Sequence, residues 1–381
     1  MIMAFGKYVV STLCFVILIL LFFGGFNFVV DPYAVFNSIR ITGFNEYKSE
    51  INNKVRPSKI YQPLSLSPEV LIVGNSRVEM GFDPKNPCLS KLWAGVYNLG
   101  VPGASVEYQA AMALNLVYQK PVKKILLGID FTDYLVLSNK ASRRERQLPS
   151  VKLLKYLPDG RLNESHYKNK LIDYYKFIFS LNALVDSTKT IFRQNEYAPT
   201  RTSLGFNPAL DFSASTSIEG VNSIFRQKEH DLEKKYSLAW SMHYQNGDIS
   251  EDFSYLENFL KYLAEHQVEV IVFTNPLHEH FWSLISKVNL TNEYNHFMSE
   301  VVSIIHRVGG DIVFWDFSSD SKFIHEDLPE PGTAADKKGL QWFWEPAHYK
   351  KVLGDKMINT MFSSECGGQP EFGRKIYSTR H

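Results

Sequence analysis

Between Lys7 and Asp31 the chain runs for 23 residues, Tyr8 to Val30, without a charged side chain. As a helix that run rises about 34 Å, and a bilayer's hydrocarbon layer is about 30 Å thick. Such a segment is either a membrane span or a cleaved leader. A leader has a shorter apolar core and a small-x-small cleavage site, whereas this run ends in Phe26-Asn-Phe-Val-Val-Asp-Pro32. An uncleaved anchor is therefore expected. Lys7 and the α-amino group precede it and Asp31 follows it, which predicts N-terminus inside and body outside. That is a single-pass protein of the inner (cytoplasmic) membrane with a periplasmic, extracytoplasmic domain. No later segment reaches 18 apolar residues, so one span is predicted.

The rest of the 381 residues is enough for one large α/β domain or two modest ones. A net charge of +1 provides no global field for nucleic acid, which is not expected as a partner. Aromatic residues make up 14% of the chain; rings serve cores and carbohydrate-facing surfaces alike, so they do not discriminate. Of three cysteines, Cys14 lies in the apolar run. Cys88 and Cys366 either pair across the fold in an oxidising compartment or remain two thiols. No CxxC, HExxH or Cys/His cluster points to a metal, and no cofactor is expected.

Residues 32–67 read as a mixed, polar connector between the anchor (1–31) and the body. Five short apolar runs then read as strands: Glu69-Val-Leu-Ile-Val-Gly74, Val96-Tyr-Asn-Leu99, Lys123-Lys-Ile-Leu-Leu-Gly-Ile-Asp130, Val268-Glu-Val-Ile-Val-Phe-Thr274 and Asp311-Ile-Val-Phe-Trp-Asp-Phe317. Helical spacing is found over 104–119, 252–266, 292–308 and 348–362. Residues 135–250 break the rhythm, with charge-rich stretches such as Ser142–Gln147, and read as a mostly helical insertion. Residues 363–381 read as a tail. Strands alternating with helices predict a five-stranded parallel sheet covered on both faces, a three-layer α/β sandwich. In such sheets reactive groups sit beyond the carboxyl ends of the strands.

The strand ends carry the candidate chemistry. After the first strand, Gly74-Asn-Ser-Arg77 places Ser76 on a tight turn; a Ser there is a cap or turn former, or a nucleophile if a base takes its proton. After the second, Asn98-Leu-Gly100 is an ordinary turn, or presents the Gly100 N–H as an oxyanion donor. Asp130 after the third strand orients a donor, binds substrate or caps the next segment. After the fourth, Asn275 is a further candidate donor, and His278 either lines the pocket or is structural. Glu345-Pro-Ala-His348 closes the series. Its spacing lets Glu345 hold one nitrogen of His348 while the other takes the proton of Ser76; alternatively Glu345 begins the last helix and His348 lies at the surface.

This order of blocks resembles the SGNH hydrolase/acyltransferase superfamily, over roughly residues 68–134 and 250–362. There a Gly-x-Ser block, a Gly block, a Gly-x-Asn-Asp block and an Asp-x-x-His block follow in sequence. The anchor, the Gly-x-Ser-Arg block and the late x-x-His-Tyr segment are similar to its membrane-anchored envelope branch, which includes proteins of alginate acetylation and teichoic-acid D-alanylation. The chain departs in three places: Asn75 stands for the usual Asp, Glu345 for Asp, and the third block lacks the Asn that supplies a side-chain oxyanion donor. That role falls to Asn275 or Asn98, or is unfilled. The resemblance implies an SGNH/flavodoxin-like fold spanning 68–362 and acyl-ester chemistry on a cell-envelope or exported polysaccharide. Ser76 would be nucleophile, His348 base and Glu345 its orienter. Arg77 would brace the turn or bind an anionic saccharide, Asp130 and His278 would contact substrate, and a membrane-bound partner would hand over the acyl group. Two other readings stand beside it: a catalytically silent carbohydrate-binding or assembly subunit on the same fold, and a membrane-tethered scaffold using 135–250 as its partner surface.

Overall fold

The computed structural model describes residues 2–141, 151–195, 199–319 and 321–378. The expected charge-rich stretch Ser142–Gln147 lies outside the described residues. The apolar N-terminus forms one helix, α1 (Ile2–Val30), whose Gly6–Val30 part is long and apolar enough to cross a membrane.

Where α1 ends, the backbone is tied rather than tethered. Lys48 Nζ donates to Val30 O (2.6 Å) and Asn45 Nδ2 to Val29 O (2.9 Å), capping carbonyls that a helix end leaves without partners. The Asp31 carboxylate accepts the Val35 and Phe36 N–H groups at 2.8 and 3.2 Å. Beyond this corner, α2 (Val55–Leu66) buries Ile60 and Tyr61 in the core. The stretch expected as a connector is thus part of the body.

Six strands form the main sheet: β1 (Val70–Val73), β2 (Val96–Asn98), β3 (Lys124–Ile129), and, past a small separate pair made of β4 (Val136–Leu137) and β5 (Trp240–Ser241), β6 (Glu269–Thr274) and β7 (Ile312–Asp316). Near the end of the chain β8 (Phe343–Glu345) and β9 (His348–Tyr349) make a hairpin, and β10 (Arg374–Ser378) completes the main sheet. The order is β10-β7-β6-β3-β1-β2. All pairings are parallel except β10 on β7, which is antiparallel. The sheet is therefore mixed and six-stranded, where a five-stranded parallel one was expected. The expected tail supplies the sixth strand, which adds through its backbone to the open edge of β7.

Side chains of the central strands alternate between two cores, as strand geometry requires. Leu71, Val73, Ile125, Leu127, Val270 and Val272 enter one; Val70, Ile72, Leu126, Ile271 and Phe273 enter the other. Burial on both faces is why these strands read as continuous apolar runs. After β1 come α3 (Ser76–Gly81) and α4 (Pro87–Leu92), and after β2 comes α5 (Val106–Val117). The insertion contributes α6 (His166–Phe179), α7 (Leu181–Phe192), α8 (Leu210–Glu219) and α9 (Val221–Tyr236). Next are α10 (Glu251–Glu265), α11 (Glu279–Lys287), α12 (Thr291–Val308), α13 (Ala334–Lys338), α14 (Lys351–Met361) and α15 (Ser363–Cys366). The first core packs against α5, α10 and α12, the second against α14. Cys88 on α4 and Cys366 on α15 form a disulfide, with Cα atoms 5.7 Å apart.

The helix expected from His348 begins at Lys351, three residues later. Glu345 and His348 lie on the β8–β9 hairpin instead of a loop entering a helix. Pro346 cannot donate to a strand ladder and favours a turn. The turn is held from outside, by Arg77 Nε donating to Ala347 O (2.6 Å) and His278 N–H donating to Pro346 O (3.1 Å).

Candidate functional site

The strand order reverses between β2-β1 and β3-β6-β7, and in sheets of this kind ligands bind beyond the carboxyl ends of the strands at that switch point, here β1 and β3. Ser76 follows β1 there and opens α3. Asn75 is its N-cap, accepting the Arg77 N–H at 3.0 Å. Gly74 permits this tight turn: a Cβ on it would come within 2.4 Å of Val78 Cγ2 and 3.1 Å of Gly128 O.

The hairpin brings the remaining groups to Ser76. Ser76 Oγ lies 2.8 Å from His348 Nε2, across 272 residues of sequence. His348 Nδ1 bonds Glu345 Oε1, and Glu345 Oε2 accepts the Ala347 N–H at 3.0 Å. A carboxylate accepts only, so Nδ1 carries the proton and Nε2 offers its lone pair to the Ser76 hydroxyl. Glu345 is buried, while Ser76 and His348 are partly exposed. Burial raises the Glu345 pKa, but the adjacent imidazole, its hydrogen bond and the Ala347 N–H outweigh it and hold the group below its ordinary value.

A second layer holds this row in register. Arg77 grips Ala347 O through Nε and Asp130 through NH1 (3.0 Å). Asp130 Oδ2 also accepts from Asn75 Nδ2 (2.7 Å) and Asn275 Nδ2 (3.1 Å), and Asn275 Oδ1 accepts from the Tyr349 hydroxyl (2.8 Å). Burial would lower the Arg77 pKa; the Asp130 charge reverses this and raises it. The ends of β1, β3 and β6 are thereby tied to the hairpin by one buried polar network.

The structure thus brings Ser76, His348 and Glu345 together and reassigns the other expected residues. Of the two readings of Arg77, the structure has it bracing the turn through Ala347 O, and Asp130 is buried with Arg77, Asn75 and Asn275 around its Oδ2. His278 is fully buried: Nε2 bonds Glu326 O (2.8 Å) and Nδ1 accepts the His280 N–H, capping α11, so it does not line a pocket. The expected oxyanion donors are also engaged. The Gly100 N–H donates to Asn98 Oδ1 (2.8 Å), and Asn98 Nδ2 donates to Val78 O (2.9 Å) and Phe82 O (2.7 Å), fastening α3. Asn275 Nδ2 is held by Asp130. Among the described residues the Ser76 N–H itself has no acceptor.

Several residues at the site went unforeseen. Phe212 on α8 stands 6.1 Å from the His348 ring and 6.2 Å from Trp344, forming an aromatic wall partly contributed by the insertion. Trp344 belongs to the aromatic run Trp342-Phe-Trp344, which was a usable signal; Phe212 had none. Asp133 accepts from Asn75 Nδ2 at 3.0 Å, and burial together with the Asp130 charge pushes its pKa up to about 7. An unfolded Asp titrates near 3.9. Between those values the folded state holds a proton that the unfolded state has lost, so this group's contribution to stability falls as pH rises from about 4 through 7. Asp133→Asn is therefore expected to raise the melting temperature more at pH 8 than at pH 5. Equal shifts at the two pH values would show that Asp133 titrates normally.

Among the described residues no group of three or more His, Cys, Asp or Glu side chains is placed to hold a metal ion. No known family model matches the chain, and no curated protein matches it.

Proposed function

We propose that this protein is a membrane-anchored, extracytoplasmic, serine-dependent acyl-ester enzyme of SGNH type. Its expected reaction is O-acyl transfer to a cell-envelope or exported polysaccharide, or hydrolysis of such an ester. The observation that carries this is the Ser76–His348–Glu345 row, in hydrogen-bond register at the crevice of a doubly wound sheet. The parallel strands, counted in chain order, lie 2-1-3-4-5, an order whose ligands bind where the winding reverses. An extracytoplasmic body is supported by the Cys88–Cys366 disulfide, since such bonds persist in oxidising compartments. Lys7 before α1 and Asp31 after it favour the matching orientation.

His348 Nε2 takes the Ser76 proton as Oγ attacks the acyl carbonyl, forming a C–O bond and an oxyanion that the Ser76 N–H is placed to receive. When the carbonyl reforms, the ester C–O bond breaks and His348 returns the proton to the leaving oxygen. A sugar hydroxyl or water then attacks the acyl-Ser76 ester, with His348 again accepting the proton; the bond from the acyl carbon to Oγ breaks, and His348 returns that proton to Ser76 Oγ. Transfer to sugar is favoured over hydrolysis because the anchored envelope proteins that this chain resembles modify polymers.

One specific observation favours a second reading, a silent carbohydrate-binding or assembly subunit. Gly100, Asn98 and Asn275 all have their donors committed, and loss of one oxyanion donor costs about 3–4 kcal/mol of transition-state stabilisation. A fluorophosphonate probe on the detergent-solubilised full chain separates the two. Labelling that disappears in Ser76→Ala and falls at least about tenfold in His348→Ala supports the enzyme. A wild-type chain that binds polysaccharide but takes no label favours the silent subunit.

A further inference from the structure

Two insertion helices pack on the membrane helix itself. Asn27 Nδ2 on α1 donates to Ile178 O at the end of α6 (2.8 Å), and the Tyr33 hydroxyl just past α1 donates to Asp186 on α7 (2.7 Å). Gly24 is where α1 lets α6 in: a Cβ there would meet Phe179 Cε1 at 2.6 Å and Ile178 Cγ2 at 3.1 Å. Gly24, Asn27 and Val30 form the one buried stripe of α1 in its last two turns.

This contact fixes a depth. Gly24 lies six residues before Val30, about 9 Å along the helix axis. The uncharged run is only about 4 Å longer than a hydrocarbon layer is thick. With α1 across a bilayer, the end of α6 and the start of α7 therefore reach the boundary between headgroups and acyl chains. There the two helices carry apolar side chains facing away from the body. Leu171, Tyr175 and Phe179 recur every four residues on α6, and Leu181, Val185 and Phe192 follow on α7. Leu171 is 71% exposed, Leu181 79% and Phe192 83%. So many large apolar side chains exposed on two adjacent helices mark an interaction surface. Beside it lies a cavity of about 760 Å³ walled by Lys54, Arg56, Lys152 and Lys176, with Asp173 as its one carboxylate. Its excess of cations suits the phosphates of a headgroup layer.

We propose that α6 and α7 form a second, interfacial membrane anchor, whose apolar face is buried in the outer leaflet around the exit of α1. Helices of this kind insert by roughly 5–10 Å into the headgroup and acyl boundary. The body is then held against the membrane at two points and cannot swing about α1. This rests on α1 crossing the membrane and is independent of the acyl chemistry.

The test uses the full chain in phosphatidylcholine nanodiscs with Cys14→Ser and single bimane-labelled cysteines: Leu18→Cys, Leu171→Cys, Val185→Cys or Val352→Cys. Leu18 lies mid-span, and Val352 is exposed on α14, against the opposite face of the sheet. The lipids carry a nitroxide at acyl carbon 5 or 12. Labels at 171 and 185 should be quenched at least about twofold more by the shallow nitroxide than by the deep one. The order should reverse at Leu18, and neither nitroxide should affect 352. If 171 and 185 respond no more than 352 while Leu18 is quenched, the interfacial anchor is overturned and the span stands. If Leu18 also fails to respond, both fall. Crosslinking of Leu171→Cys between two copies without lipid quenching would assign the face to self-association and likewise overturn the proposal.

Discussion

Ser76→Ala should lower acyl transfer or ester hydrolysis by at least about 10⁴-fold while leaving the melting temperature within a few degrees of wild type. The two halves of this expectation have separate causes. The Ser76 hydroxyl forms one hydrogen bond, to His348 Nε2 at 2.8 Å, at a partly exposed position. Losing such a bond costs about 1 kcal/mol. His348 keeps its place without it, because Glu345 holds Nδ1 and Arg77 holds the turn through Ala347 O. Chemistry, by contrast, has no substitute for the oxygen that becomes part of the acyl-enzyme. Glu345→Gln should behave differently: it removes the negative charge that stabilises an imidazolium and lets the amide meet Nδ1 with its wrong end. Turnover on a chromogenic acetyl ester, read beside thermal unfolding, checks both variants. Unchanged turnover in Ser76→Ala would refute the assignment, and loss of the fold would show that Ser76 is structural.

What could be read from the chain follows from where each signal resides. Val70–Val73 and Glu269–Thr274 are short, β-branched and stop at Gly or Asn, so both the strands and their reactive ends are local features. The meeting of residues 76 and 348 could be expected because both follow strands of one parallel sheet, whose carboxyl ends share a rim. The hairpin carrying His348 was hidden: His348-Tyr-Lys350 runs straight into a good helical pattern, and its extended form depends on pairing with β8 and on distant partners, Arg77 and His278, at the turn. Strand Arg374–Ser378 has an irregular register and a largely open face, so no apolar pattern announced it. The donor assignments failed for a related reason. Asn98, Gly100 and Asn275 have suitable chemistry, but composition does not say which way an N–H points, and here each points into the scaffold.

The largest loss of stability is expected at a residue with no local signal at all. Glu79, on the helix that Ser76 opens, is fully buried. Its carboxylate meets Lys59 of α2 at 3.3 Å and Arg201 of the insertion at 3.0 and 3.1 Å, and Asn207 donates to it at 3.3 Å. Burial raises the Glu79 pKa, but the two cations outweigh it and keep the group below its ordinary value. Lys59 is pulled down to about 8 by its own burial and spends its remaining donors on Asn98 O and Gly205 O. Glu79→Ala would leave two buried cations without their counter-charge, a change that costs about 3–5 kcal/mol. It should also loosen the insertion where Arg201 and Asn207 clasp α3, and with it the Phe212 wall over His348. Calorimetry should show a fall of roughly 5 °C for a chain of this size, and activity should drop even where the protein remains folded. Adding Lys59→Met to Glu79→Gln removes one stranded charge and should recover part of the loss. Independent, additive losses in the double variant, or a shift under about 2 °C in Glu79→Ala, would mean that water already reaches this cluster and that the insertion is held to the nucleophile helix by other contacts.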